Sequence, residues 1–252
     1  MKTLVYDEKQ VERFLDEILY NPNFGSADKK QIELENQVFC MCFTARTKYL
    51  DGRESYNLKN NEQFYKAFIR HKDRFLRKLY ERNLDTVFDR DGKQLPIECM
   101  AVYITINPRD TYQALFKLQK YCLDIAYRND TATMKRLDSL AFKSYHTSPL
   151  KLDRVVIDFD ITEKNPKSES RMLDLLNPIA NCLSCIVETR GGFHVYLDIS
   201  KAEPHDKKYI FQDLRKIQSE DFKEIQVQTD AMVVIPGTLQ GGFKVRFRDD
   251  LI

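Results

Sequence analysis

The chain has 252 residues, of which 42% are hydrophobic and 31% charged, with a formal net charge of +2. That is enough apolar material for a full core, while a charge so near neutral excludes a protein that meets nucleic acid with its whole surface. No apolar run approaches the roughly 20 residues of a membrane span, and the N-terminus runs at once into charge, so a cytoplasmic protein with no membrane partner is expected.

Six cysteines are too sparse for a disulfide scaffold. Those at 40, 42 and 122 sit in apolar runs that suit buried thiols. Cys182-Leu-Ser-Cys185 has the gap of a zinc half-site but lacks a matching second pair, so core packing is the simpler reading.

In chain order, Asp7 to Leu19 carries Val11, Phe14, Leu15, Ile18 and Leu19 at helical spacing, and turn residues from Asn21 to Asp28 close that helix. Gln37 to Phe43 reads as a buried strand followed by Arg46, Lys48 and Tyr49. Two cations and an aromatic at a strand end can grip a phosphate and a base, and can equally form a solvated loop. Asn61 to Asn83 reads as one amphipathic helix, with Phe64, Phe68, Phe75, Leu76 and Leu79 on one face. Its other faces carry Arg70, Arg74, Arg77 and further cations, which suits a sugar–phosphate backbone or simply a solvated surface.

A second strand from Cys99 to Ile106 leads to Asn107-Pro-Arg109-Asp110. Asp110 or Thr111 then caps a helix expected to turn Tyr112, Leu115, Phe116, Leu118, Tyr121 and Cys122 inward. Another helix is expected from about Thr131 to Tyr145, and the Thr147-Ser-Pro-Leu hinge divides the chain into units 1–147 and 148–252 of one compact domain.

The second unit opens with Arg154-Val-Val-Ile-Asp158-Phe-Asp160-Ile161. Strand geometry puts both carboxylates on one face, and two acids held so close call for a divalent cation. The bland alternative is a strand end with two solvated acids. After a helix from about Ser168, Ile186 to Thr189 and Phe193 to Ile199 form a hairpin around Arg190-Gly191-Gly192, with His194 beside Arg190 as a phosphate grip or as an ordinary structural histidine. The two glycines would let backbone approach a ligand closely. A helix over Pro204 to Gln218 precedes a strand ending near Asp230, a Pro236-Gly237 turn and a last strand on which Lys244 and Arg246 share a face.

Val-Val-Ile-Asp158-Phe-Asp160, Thr189-Arg-Gly-Gly-Phe-His194-Val, and Thr229-Asp230 followed by Val-Ile-Pro-Gly-Thr-Leu resemble, in order and chemistry over residues 152 to 247, the three motifs of the archaeo-eukaryotic primase superfamily. The resemblance implies an α+β primase-polymerase core. An N-terminal α/β unit (1–147) would pack on a C-terminal RNA-recognition-motif-like unit (148–252), with the active site in the cleft. It implies that Asp158, Asp160 and Asp230 are catalytic and hold two Mg²⁺ or Mn²⁺ ions, and that His194 contacts an incoming triphosphate. Phosphate binding extends to Arg190, Lys244 and Arg246, and strand binding to Arg46, Lys48, Arg70, Arg74 and Arg77. Thr229 departs from the pattern, since an apolar residue usually precedes the third acid.

The implied activity is template-directed joining of NTPs or dNTPs on single-stranded DNA. No Gly-x-x-x-x-Gly-Lys-Ser/Thr loop is present, so a helicase partner would be a separate chain. A non-catalytic single-stranded nucleic-acid-binding initiator or regulator on the same fold is the principal alternative, with a metal-dependent nuclease or a polymerase-β-type transferase behind it.

Overall fold

The run of β-branched, aromatic and sulfur-bearing residues from Gln37 to Arg46 forms strand β1, with Phe39, Met41, Phe43 and Ala45 on one face and Cys40, Cys42, Thr44 and Arg46 on the other. In this computed structural model residues 2–21, 37–50, 55–150 and 152–252 are described; the turn expected over 22–28 lies outside them. Beside β1 lie β2 (Asn61–Ile69) and β3 (Met100–Thr105), both antiparallel to it, with β4 (Arg109–Asp110) pairing at its start. Helix α1 (Glu8–Phe14), capped by the Asp7 side chain and continued as a wide turn through Leu19, and α2 (Lys72–Tyr80) contribute buried residues to the core on the Phe43 side. Helices α3 (Thr111–Arg128), α4 (Thr131–Met134) and α5 (Leu137–His146) follow β4, and Phe142 of α5 packs against Cys40 and Cys42 on the opposite side.

The second sheet is made by β5 (Arg154–Ile161), α6 (Pro166–Leu176), β6 (Leu183–Glu188), β7 (Gly192–Asp198), α7 (Pro204–Lys208, continued by tighter and wider turns to Lys216) and β8 (Phe222–Gln228). Its strand order β6-β7-β5-β8, all antiparallel, is the split βαβ arrangement in which each half contributes a strand, a helix and a strand. Asn165 and Ser168 form a capping box that starts α6, and Pro166 occupies its first turn. Ile157, Phe159, Val195, Ile225 and Val227 pack on the helix side of this sheet, leaving Val156, Asp158, Asp160, His194 and Gln226 on the other.

The chain then returns to the first sheet. Strand β9 (Met232–Val234) pairs with β3, the hairpin β10 (Leu239–Gln240) and β11 (Phe243–Lys244) follows, and β12 (Arg246–Phe247) closes on β6. A boundary at residue 148 is therefore not a clean division, because residues 232–234 complete the first sheet. The hinge itself is tied down: Ser148 is buried, Asp110 N donates to its carbonyl at 2.8 Å, and Leu150 N donates to Pro108 O at 2.8 Å. The coarse expectation of a mixed α+β protein holds, and the sheets are antiparallel.

Two expectations fail. Residues 61–83 are a strand and a helix, because Tyr65, Phe68 and Ile69 pair with β1, and Phe43 makes ring contacts with Tyr65 and with Phe64, the extra residue of a bulge. Long-range pairing of aromatic and branched residues overrides the helical spacing. Helix α3 buries Ala114 and Ile125, while Tyr112, Leu115 and Phe116, expected inward, are exposed together with Leu123 and Tyr127. Helix α3 packs on α5, and Ala114 and Ile125 are its buried residues.

Candidate active site

Strand β5 delivers the acid pair. Asp158 stands opposite His194 on β7 and Gln226 on β8, and Asp160 opposite Gly192 and Glu224. Residues directly opposite in an antiparallel ladder share a face, so two acids, a histidine and the Glu224, Gln226, Gln228 series are presented together. Across from them the polar face of the first sheet supplies Thr44, Arg46, Asn61, Gln63 and Tyr103, and Lys48 and Tyr49 follow β1 in a short 3₁₀ turn. The cleft between has a volume of about 440 Å³.

Its electrostatics follow from burial. The Asp158 carboxyl is pushed above its ordinary range by burial, reinforced by the charges of Asp160 and Glu224 and opposed by His194 and Lys48. The His194 ring is pushed below its ordinary value by burial, against the pull of Asp158 and Asp160. Its Nε2 lies 3.4 Å from Asp158 Oδ1, but burial outweighs the carboxylates, so the contact is that of a neutral imidazole and not an ion pair. Its Nδ1 is buried and has no partner among the described residues. The Lys48 amine is lowered by burial and by Arg46, and Asp160 and Asp158 oppose that shift, which places it within the field of both acids.

Two cations, Arg46 and Lys48, stand on the opposite wall, and Arg190 sits in the β6–β7 turn of the acids' own sheet, outside the cleft lining. Arg46 is held by Asn61 Oδ1 at 2.8 Å and by the hydroxyls of Tyr103 and Tyr49 at 3.0 and 3.2 Å. The Arg190 guanidinium lies 4.5 Å from the Tyr49 ring centroid and donates to Gly241 O, while its backbone N–H donates to Gln240 Oε1 at 2.8 Å. Gly192 has a structural duty: a Cβ there would lie 1.7 Å from Phe159 O. The expected approach of backbone to a ligand is, at this residue, an approach of β7 to β5.

No family model, curated protein or solved structure matches this chain, so its chemistry rests on this geometry.

Several expected site residues lie elsewhere. Asp230 follows β8 by two residues and does not line the cleft. Its two oxygens each lie 2.7 Å from a terminal nitrogen of Arg109, which is fully buried and donates as well to His146 O. A buried guanidinium needs a carboxylate, and that need fixes Asp230. Arg246 pairs with Glu188 at 2.9 Å on the helix side of the second sheet, in a cluster with Lys164 and Arg248. Lys244 is exposed, its amine 5.4 Å from the Tyr6 ring centroid, and Val245 is buried between the two short strands that divide the expected last one. Arg70 is exposed between β2 and α2, and Arg74 and Arg77 line a separate depression on α2. Among the described residues no group of three or more His, Cys, Asp or Glu is placed to hold a metal ion, and Cys182 and Cys185 sit in different core clusters.

Glu224, Gln226 and Gln228, with Tyr103 and Gln240, are site residues that sequence reasoning missed. The alternation Glu-Ile-Gln-Val-Gln over 224–228 was the available signal.

Proposed function

We propose that the protein is a metal-dependent nucleotidyltransferase of the primase-polymerase kind, joining NTPs or dNTPs on a single-stranded DNA template. The observation that carries this reading is the pairing of Asp158 and Asp160 on one wall of the cleft with Arg46 and Lys48 opposite them, with Arg190 against Tyr49 at the adjoining β6–β7 turn. The β6-β7-β5-β8 order, shared with RNA-recognition-motif-like folds, supports it.

The donor set fits a hard divalent cation, Mg²⁺ or Mn²⁺: two carboxylates on one face, the inner one destabilised by burial, with Glu224 opposite the outer one. Asp158 and Asp160 would hold it, and when bound it supplies Lewis acidity and charge neutralisation for displacement at a phosphate. The protein's own residues do the rest. Arg46, Lys48 and Arg190 bind the triphosphate tail and stabilise the charge that collects on the departing pyrophosphate. The tyrosines around Arg46 and beneath Arg190 hold both guanidinium groups in place before substrate arrives. Neutral His194 orients Asp158 through its single N–H, at Nε2. Asp230 has no part in the chemistry; its role is the anchoring of Arg109.

A second reading keeps the fold without the chemistry, as a single-stranded nucleic-acid-binding initiator or regulator. The commitment of Asp230 to Arg109, which leaves the cleft with one acid fewer than a three-carboxylate site, is the observation in its favour. Incubation with a labelled primer–template, dNTPs and Mn²⁺ separates the cases. A transferase lengthens the labelled strand, a nuclease shortens it, and a binding module shifts it in a gel at unchanged length.

A further inference from the structure

Beyond the cleft, a second cluster of charge takes no part in the proposed chemistry, and it includes Arg74 and Arg77 of the basic segment. Arg74, Arg77, Lys78 and Arg82 converge with Tyr65 and Glu81 on a depression of about 340 Å³. Among the described residues none of these four cations forms a salt bridge. Glu81 is the one carboxylate in the lining, so four positive charges meet one negative charge. The C-terminal end of α2 offers Arg77 and Lys78 a partial compensation of about half a charge, well short of the imbalance.

The cluster is held in place. Lys78 Nζ donates to the Tyr65 hydroxyl at 3.0 Å, the Arg82 guanidinium lies 4.8 Å from the same ring centroid, and Arg82 Nε is buried with no partner among the described residues. Positive groups so fixed and so close repel one another, and an anion seated among them relieves that cost. The depression is also distinct from the cleft. Tyr65 pairs with Phe43 on the face of β1 that meets α1 and α2, whereas Gln63 pairs with Thr44 on the cleft face, so the first sheet separates the two.

We propose that this depression is a second phosphate-binding site, which grips the sugar–phosphate backbone of a nucleic-acid strand. Arg74 and Lys78 are about 6 Å apart along the helix axis at about 1.5 Å per residue, and Arg82 extends the row, which outspans a single phosphate. Three of the four cations are arginines, whose planar forks match phosphate oxygens. Arg82 already covers the Tyr65 ring, so bases have no platform and binding is indifferent to sequence. The lining is free of aliphatic side chains, which argues against an acidic protein helix as the occupant.

The test is fluorescence anisotropy of the full chain with a labelled oligo-dT and a labelled mixed-sequence strand in EDTA, across a series of salt concentrations. Arg74→Ala/Arg77→Ala/Arg82→Ala is expected to weaken both strands at least tenfold. It should also flatten the slope of log K against log salt by about 0.7 for each phosphate that is no longer neutralised. Arg77→Glu alone, a single surface change, is expected to do the same in smaller degree, and it decides the matter should the triple variant not fold. Affinity and slope equal to wild type in a folded variant overturn the proposal. So does equal competition by inorganic triphosphate, which would make the ligand a free phosphate, or by polyglutamate, which would make it an acidic chain. Incorporation assays read the other face of the sheet, so the outcome here is independent of the transferase reading.

Discussion

The carboxylate of Asp230 holds both terminal nitrogens of the Arg109 guanidinium at 2.7 Å, and this one pair ties the β8–β9 connection to β4 in the first half of the chain. Arg109 has no exposed surface, so its charge depends on that partner. Replacing Asp230 with Ala leaves a buried cation uncompensated and should cost about 2–4 kcal/mol, the lower part of the range reflecting the part of Asp230 that reaches solvent. Urea denaturation should show a lower midpoint at unchanged slope. A variant as stable as wild type yet inactive would return Asp230 to the chemistry.

The Glu188 cluster makes stability depend on acid. Burial alone would raise the Glu188 carboxyl, but hydrogen bonds and charge from Arg246 and Lys164 together hold it below its ordinary 4.5. Because the folded value is the lower one, its contribution is complete above about pH 4.5 and is lost as pH falls through the folded value. Glu188→Gln should therefore destabilise by about 1–3 kcal/mol at pH 7 and by progressively less below pH 4.5. A difference from wild type that is constant with pH would contradict the assignment.

At Gly192 the backbone of β7 lies hard against β5. A methyl group there would strike the Phe159 carbonyl at 1.7 Å and Ile161 N at 2.9 Å, both of them backbone atoms that cannot yield without breaking the ladder. Gly192→Ala should cost more than about 3 kcal/mol, seen as reduced soluble yield and a melting temperature lowered by roughly 6 °C or more. Gly191→Ala, whose nearest neighbour is the Asp160 side chain at 3.2 Å, should be the milder change.

On α3 the burial pattern can be checked residue by residue. Phe116→Ser alters a side chain that is 72% exposed and should shift stability by no more than about 0.5 kcal/mol. Ile125→Ala, at 7% exposure, should cost about 2–4 kcal/mol in the same denaturation experiment. The reverse order would mean that the helix packs through its aromatic stripe.

Much of this architecture was legible in the sequence where local signal and tertiary context agree. The β5 run with its two acids, the Arg190-Gly-Gly hairpin and the Asp110 cap all stand where spacing puts them. Legibility ended where a distant partner decides the outcome. Residues 61–69 carry apolar residues at helical spacing but become a strand because β1 offers an open edge. Asp230 follows an apolar strand as a motif would have it, and only the burial of Arg109, 121 positions earlier, shows where its charge is spent. Arg246 is likewise drawn to Glu188 across the β12–β6 pairing, which no local pattern encodes. The cleft's second wall, Arg46 with its two tyrosines, comes from the first half of the chain and could be suspected only as a basic strand end.

The proposed chemistry depends most on Asp158 and Asp160 acting together in nucleotide transfer. The most direct measurement is incorporation of labelled dNTP or NTP on single-stranded template with Mn²⁺, comparing wild type with Asp158→Ala and Asp160→Ala. Both variants should lose activity by at least about a thousandfold while keeping a cooperative melt, as removal of charge stabilisation at a phosphoryl-transfer site does. Incorporation by either folded variant at the wild-type rate would contradict the assignment of the acid pair to nucleotide transfer.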